Sequence, residues 1–342
     1  MSKFTSKLVA WRRRHGRRGL PWQGTRDPYR IWLAEVMLQQ TQVAAVIPYY
    51  ERFLARFPDL ATLAAAPEDD VLQLWSGLGY YARAQNLLAA AGQIVRDGGF
   101  PDTEKGIREL PGVGRSTAAA IAAFAFGRRA AILDGNARRV LARCFGIEGQ
   151  KQQWDLAASL LPVRGIRGYT QALMDLGATV CTRLNPACER CPVSRNCVAR
   201  REGRIAELPA PRARRPRPEK SVTWLVLLRN SQVLLERRPG AGVWGGLWSF
   251  PETKSKHVAA FCRRAFGCEV HRLRSLEPIE HGFSHFRLRA RPVLCPVTRA
   301  SPRAESPGRL WLDLDEAAGA AVPAPVRNLL RRLAAAGRPV LG

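Results

Sequence analysis

The sequence predicts two domains: a mainly helical one over residues 1–200 and an α+β one over residues 221–342, separated by a basic Pro/Arg-rich linker at 201–220. Three observations carry this expectation. First, Ala/Leu-rich stretches at 34–46, 71–74, 82–95, 117–126 and 137–144 lack strand alternation and point to helices. Asp27-Pro28, Phe57-Pro58, Ala66-Pro67 and Phe100-Pro101 punctuate them, because proline disfavours helix in the residue before it. Second, residues 201–220 are dense in Pro and Arg, with a single Leu and a single Ile, the composition of a solvated linker. Third, the texture then changes. Two apolar runs, 222–228 and 232–235, flank Arg229-Asn230-Ser231 as in a hairpin, and Phe286-Arg-Leu-Arg-Ala-Arg291 alternates like a half-buried strand. Val326, Leu329, Leu330 and Leu333 suggest a closing helix, and no internal repeat is visible.

A chain of 342 residues is long enough for two domains that each bury a core, and its 46% hydrophobic share argues against disordered and fibrous classes. Basic residues outnumber acidic ones by 54 to 28, a formal charge of +26. Such a charge does not decide a fold, but it favours a polyanionic partner, with nucleic acid ahead of a membrane surface. No apolar run reaches the roughly 18 residues of a spanning helix, so no membrane role is expected. Residues 1–19 lack an apolar stretch followed by a cleavage site, which speaks against export. They are Arg-rich and acid-free, as an organelle transit peptide is. However, Phe4, Leu8 and Trp11 recur at helical spacing, which better suits a first helix with a basic outer face. The expected setting is the cytoplasm, and the expected state a monomer.

Of the eight cysteines, Cys181, Cys188, Cys191 and Cys197 crowd into a C-x6-C-x2-C-x5-C pattern. Four thiolates so close along the chain can wrap one soft metal centre in a reducing compartment. Zinc is one candidate, although zinc sites usually pair two C-x2-C knuckles and only one is present. The spacing resembles the four-iron–four-sulfur loop of the endonuclease III superfamily of DNA glycosylases, which implies one 4Fe-4S cluster. On that likeness the loop would hold Arg183, Arg190, Arg195 and Arg200 against phosphates rather than perform redox chemistry. Cys144, Cys262, Cys268 and Cys295 are scattered and are taken as core or surface thiols.

Leu110-Pro-Gly-Val-Gly114 lies between two helical stretches. Gly112 and Gly114 are expected to adopt positive φ and let main-chain amides approach an anion, beside the helix start at Ser116-Thr117. Gly-rich helix turns are common, so the segment alone does not establish a phosphate site. Together with the cysteine loop it looks like a helix–hairpin–helix over about 103–127. Further on, Asp134 precedes the helical stretch 137–144, where it can serve as a plain N-cap or as a carboxylate held ionised by helix-start amides. Glu35 sits in Ile31-Trp-Leu-Ala-Glu-Val-Met-Leu38, apolar on every side. A carboxyl there either pairs with Arg30 or Arg83 or takes a raised pKa, which would make it a general acid near neutral pH.

Leu20-Pro-Trp22, Trp32-Leu-Ala-Glu-Val-Met-Leu-Gln-Gln-Thr41, Gly77-Leu-Gly-Tyr-Tyr-Ala-Arg83, Leu110-Pro-Gly-Val-Gly-Arg-Ser-Thr117 and Leu133-Asp-Gly-Asn136 together resemble the MutY family of adenine DNA glycosylases. The likeness spans roughly residues 8–200 and resumes after the linker. It implies that Glu35 protonates adenine N7 and that Asp134 supports the oxocarbenium-like sugar through a short-lived covalent adduct, with Asn136 beside the reacting sugar. It further implies Trp22 and Gln171 in an adenine pocket, and Gln40, Thr41, Leu78 and Tyr80 around the wedge and the opposite base. Flipping a base costs a few kcal/mol, least where pairing is already poor. Relatives that also nick the strand carry a lysine where this chain has Ser116; a hydroxyl forms no Schiff base, so glycosylase activity without an efficient lyase step is expected. The alternative is an endonuclease III-like glycosylase/lyase for oxidised pyrimidines, which Ser116 and the whole second domain oppose.

Arg238-Pro-Gly-Ala-Gly-Val-Trp-Gly-Gly-Leu-Trp-Ser-Phe-Pro251 makes the second domain similar to the Nudix-like (MutT-like) C-terminal domain of that family. The R-E-x-x-E-E box by which Nudix hydrolases hold magnesium is missing, so pyrophosphate hydrolysis is not expected. His281-Gly-Phe-Ser-His285 fits the family's Phe-Ser-His loop, which implies 8-oxoguanine recognition by Phe283, Ser284 and His285 through stacking and a hydrogen bond to the base edge. The expected substrate is double-stranded DNA with 8-oxoguanine·A or G·A mispairs, in base excision repair.

Overall fold

The computed structural model describes residues 2–210, 216–240 and 242–336. Two compact units emerge, one from residues 1–66 and 85–213, the other from residues 67–84 and 214–342.

The first unit is helical. Helix Lys3–His15 buries Leu8 and Trp11 of the predicted stripe and leaves Phe4 half-buried against Phe145, while Thr5 is buried beside them and arginines are exposed. It packs on helix Ile166–Thr179, and the Thr5 hydroxyl donates to the Leu160 carbonyl at 2.8 Å. The predicted stretch 34–46 is not one helix but parts of two, Pro28–Leu38 and Val43–Arg56. Neither Gly nor Pro marks the break. Gln40 takes φ 58 there, and the Gln39 side-chain Nε2 donates to the Gly112 carbonyl at 3.3 Å and the Thr117 hydroxyl at 3.4 Å. These are tertiary contacts that local sequence cannot announce. Stretches 117–126 and 137–144 fall inside helices Arg115–Phe126 and Gly135–Phe145. Helix Ile166–Thr179, which has weak sequence signals, begins after Gly165 at φ 79.

Of the stretch 201–220, residue 201 ends helix Val198–Arg201, Leu208 is buried in the first unit, and residues 219–220 already belong to a strand. Residues 211–215 lie outside the described residues.

The second unit is a mixed sheet with helices. Strand Glu219–Arg229 runs parallel to Arg287–Ala300 and antiparallel to Gln232–Arg237, with Asn230 at φ 55 in the tight turn. The expected alternation holds from Arg287 to Pro292, exposed and buried residues taking turns along the strand. Helix Val258–Phe266 covers one face, where Cys262, Phe266 and Cys295 pack with Leu225, Leu227 and Leu234. The closing helix runs Ala324–Ala335 and buries Val326, Leu329 and Leu330. Helix Glu68–Trp75, which contains the predicted 71–74, belongs to this unit. Gln73 donates to the Gly319 carbonyl at 2.7 Å, and Ser76 to that of Val322 at 2.6 Å.

Candidate active site

Helix Pro28–Leu38 starts at Asp27, whose carboxylate accepts from the Tyr29 amide at 2.9 Å, with Pro28 at the first helical position where its missing N–H costs nothing. Ile31, Trp32, Leu33, Ala34, Val36 and Met37 are all buried, so the helix is clamped on most of its circumference. Glu35 is the polar exception. It lines a cleft together with Trp22, Gln23, Arg12, Phe124 and Gln171. Its pKa is pushed from 4.5 up to about 8, first by burial and then by the charge of Asp134. Arg30, one of the ion-pair partners considered for it, pairs instead with Asp27 at 3.5 Å.

Asp134 caps helix Gly135–Phe145, accepting from the Ala137 amide at 2.7 Å. The expectation that helix-start amides hold it low is corrected: burial outweighs them and the pKa is raised. Yet the amides of Ala137 and Asn136 and the guanidinia of Arg139 and Arg17 all oppose that rise, whereas nothing opposes it at Glu35. The two carboxyls influence each other, and the groups that favour ionisation gather around Asp134 rather than Glu35. Asn136 accepts from Arg139 at 2.8 Å, and the same guanidinium reaches the carbonyls of Gly177 and Cys181, both at 2.7 Å. Gly177 abuts this corner: a Cβ there would lie 2.6 Å from the Asn136 Cβ.

Trp22 is nearly buried, edge-on to Tyr50 with ring centres 5.3 Å apart. Gln171 donates to Asp175 at 3.0 Å; Asp175, itself fully buried, also holds Arg17 at 2.8 Å and Arg12 at 3.6 Å. Asp175, Arg12, Arg17 and Gln23 were not singled out from the sequence. The one available signal was the Gln171–Asp175 spacing of i,i+4 on a helix. The Gln23 Nε2 is buried without a hydrogen-bond partner, at the cleft wall.

The hairpin joins helices Glu104–Arg108 and Arg115–Phe126. Gly112 has φ 75, and a Cβ would come within 2.8 Å of Asn86, so only glycine fits. Gly114, in contrast, has φ −84 and needs no left-handed backbone, which corrects the expectation for it. The Ser116 hydroxyl accepts from the Leu133 amide at 3.0 Å and so braces the residue before Asp134. Gln40 is exposed in a left-handed turn and Thr41 follows it, its hydroxyl donating to the Gln39 carbonyl at 3.3 Å.

Cys181, Cys188, Cys191 and Cys197 line one cavity with Arg143, Cys144, Leu176, Val180 and Ile205. Among the described residues, no group of three His, Cys, Asp or Glu side chains converges as a single-ion site would. Burial raises Cys181, Cys188 and Cys191, the last to about 11, while a hydrogen bond from Cys144 lowers Cys197 to about 6. Four sulfur donors around one cavity lined otherwise mainly by apolar and arginine side chains are a donor set that fits a sulfur-ligated cluster.

In the second unit, Leu78 is buried, while Tyr80 is 46% exposed at φ 50. The hairpin between strands Ile279–Gly282 and Arg287–Ala300 closes at the Gly282/Arg287 pair. At its tip Phe283 stacks on Phe286 at 4.5 Å and packs on Trp244 and His281, so its ring is not a free wedge. Ser284 and His285 are exposed and lie 3.3 Å apart.

Residues 33–162 match the HhH-GPD superfamily base excision DNA repair protein, and residues 223–332 the NUDIX domain. The chain is 33% identical, over 339 residues and 96% of each protein, to the adenine DNA glycosylase of Buchnera aphidicola subsp. Acyrthosiphon pisum (strain APS). The chain belongs to the adenine DNA glycosylase family. The Mus musculus adenine DNA glycosylase is also 33% identical, across 97% of this chain and 78% of that one. Among solved structures, a thermostable thymine-DNA glycosylase matches 58% of this chain and 95% of its own with 32% identity and a TM-score of 0.55. Endonuclease III in a non-covalent DNA complex, 20% identical with a TM-score of 0.52, shares the fold. Family membership makes this chain an N-glycosylase of base excision repair.

Two outcomes are expected. Gly177→Ala forces helix Ile166–Thr179 away from Asn136, so single-turnover adenine release should fall by about 100-fold with DNA binding retained; an unchanged rate would remove the packing argument. Because the Glu35 pKa is higher in the fold than in the unfolded chain, its neutral form stabilises the protein below about pH 4 and that contribution is lost as pH rises to about 8. Glu35→Gln needs no proton, so its melting temperature should exceed wild type at pH 9 and converge with it at pH 4.

Proposed function

We propose that this chain excises adenine opposite 8-oxoguanine, and opposite guanine, from double-stranded DNA, without an efficient lyase step. The observation that carries the proposal is the unequal carboxyl pair: Glu35, raised to about 8 in a cleft with Trp22 and Gln171, beside the better compensated Asp134. A flipped adenine stacked near Trp22 would receive the Glu35 proton at N7. The bond between N9 and the sugar then breaks with its electron pair going to the base, which leaves as neutral adenine. The ionised Asp134 supports the cationic sugar, directly or by a transient bond to C1′, until water adds at C1′, displacing the carboxylate and giving a proton to the Glu35 carboxylate. Asn136, fixed by Arg139, borders the sugar.

Ser116 supports the monofunctional reading, since its hydroxyl cannot form a Schiff base and is already bonded to the Leu133 amide. The Gly112 turn and the start of helix Arg115–Phe126 would hold a phosphate through main-chain amides, a contact that positions DNA without reading sequence. The four cysteines would hold one 4Fe-4S cluster, which when bound supplies charge that fixes the loop. Ser284 and His285, exposed at the hairpin tip over the Trp244–Phe283–Phe286 platform, would read the 8-oxoguanine edge.

On an 8-oxoguanine·A duplex, wild type should release free adenine and give strand scission only after alkali, with a rate that declines as pH rises past about 8. Glu35→Gln should bind the duplex and release essentially no adenine; near-normal turnover would refute the acid assignment, and scission without alkali the monofunctional one. The double variant Ser284→Ala with His285→Ala should narrow the preference for 8-oxoguanine over guanine opposite adenine by about tenfold, as expected for losing one or two base-edge contacts. An unchanged ratio would take recognition away from this loop.

A further inference from the structure

We propose that residues 203–210, anchored by Arg143, are a strap that walls the cysteine cavity off from solvent rather than the beginning of a linker. The proposal rests on the cluster assignment above. Ile205 lines the cavity alongside the four cysteines. The strap is tied down along its length. The Arg204 amide donates to the Ala199 carbonyl at 2.8 Å, the Leu208 amide to the Arg204 carbonyl at 3.1 Å, and the Ala210 amide to the Glu148 carboxylate at 2.8 Å. Leu208 is 1% exposed, which no free linker residue would be.

Arg143 joins this strap to the metal-binding loop. The residue is 4% exposed, and an arginine buried to that degree is costly unless its N–H groups are used. Its Nε donates to the Leu208 carbonyl at 2.8 Å. One terminal nitrogen reaches the Thr182 carbonyl at 2.7 Å and the Cys181 sulfur at 3.6 Å, and the other reaches the Arg183 carbonyl at 3.0 Å. Its own carbonyl lies 3.2 Å from the Cys197 sulfur. A single planar fork therefore spans the strap, the loop and one of the four ligands, while the main-chain carbonyl of the same residue meets a second, and a lysine ammonium cannot reproduce the fork. N–H groups aimed at a ligand sulfur and an apolar wall against solvent are two of the levers by which a protein sets how firmly it holds such a centre. The surface pairs of Arg204 with Glu202 and Glu207 are exposed and add little.

The test uses full-length protein purified anaerobically: wild type, Arg143→Gln, Ile205→Ser, and Phe53→Leu as a core-cavity control in helix Val43–Arg56, away from the cavity lining. Iron and acid-labile sulfide per chain, the rate of iron transfer to a ferrous chelator, and the melting temperature are measured on each. Wild type is expected to carry iron and sulfide, and Arg143→Gln and Ile205→Ser to lose iron about tenfold faster or more, as outer-shell changes do. Phe53→Leu is expected to melt lower while releasing iron at the wild-type rate. Wild-type release rates in both strap variants would overturn the proposal, as would equally fast release from Phe53→Leu, which would make iron loss a consequence of global stability. If Arg143→Gln does not fold, Ile205→Ser decides alone. Wild type devoid of iron and sulfide would instead overturn the cluster assignment itself.

Discussion

Two half-buried carboxyl groups lie close enough for the charge of one to act on the other, and the groups that offset burial gather around only one of them. Asp134 has two amides at a helix start and two guanidinia to offset its burial; Glu35 has burial and the Asp134 charge acting in the same direction. The difference is the kind from which acid and base roles arise, since environments that push two pKa values apart decide which group keeps its proton. Much of the helical unit can be understood as holding that asymmetry. The nearly all-round burial of helix Pro28–Leu38 denies Glu35 a partner, and the capping geometry of Gly135–Phe145 supplies Asp134 with several.

The corner around Asp134 is kept in place by close packing rather than by bulk. Gly177 lets one helix lie against Asn136 with no side chain between them, and Ser116 takes up the Leu133 amide just upstream. Arg139 and Arg143, one turn apart on the same helix, both turn toward the cysteine loop. The first bonds the Cys181 carbonyl and the second the Cys181 sulfur. The loop and the Asp134 corner are therefore parts of one hydrogen-bonded framework, in which a buried guanidinium is stable because its donors are used.

The second unit matches the NUDIX domain, and helix Val258–Phe266 covers one face of its sheet. Helix Val258–Phe266 carries Arg263 and Arg264 and no carboxylate, so it cannot assemble an acidic magnesium site of its own. The hairpin tip rests on a cluster of aromatic rings. Trp244, at φ 58, packs on His281 and Phe283, and Phe283 stacks on Phe286, leaving Ser284 and His285 outermost. For the base-edge reading proposed above, polar groups on a packed aromatic base would cost less ordering than a loop that must order on contact.

Much of this was legible in residue order. The Lys3–His15 stripe, the Asn230 turn, the alternating strand after Phe286, the cysteine spacing and the isolation of Glu35 among apolar residues are local patterns, set by helix and strand periodicity and by the cost of burying charge. Tertiary structure alone decided the rest. The helix breaks at Gln40, where the Gln39 side chain contacts Gly112 and Thr117, and Arg12 at the cleft is joined with Arg17 to Asp175 from a distant segment. Tertiary structure also buried Leu208 in a stretch whose composition reads as solvated, and raised Asp134 despite its helix cap. In each case the deciding term is desolvation or a long-range hydrogen bond, which depends on what packs around a residue and not on its neighbours along the chain.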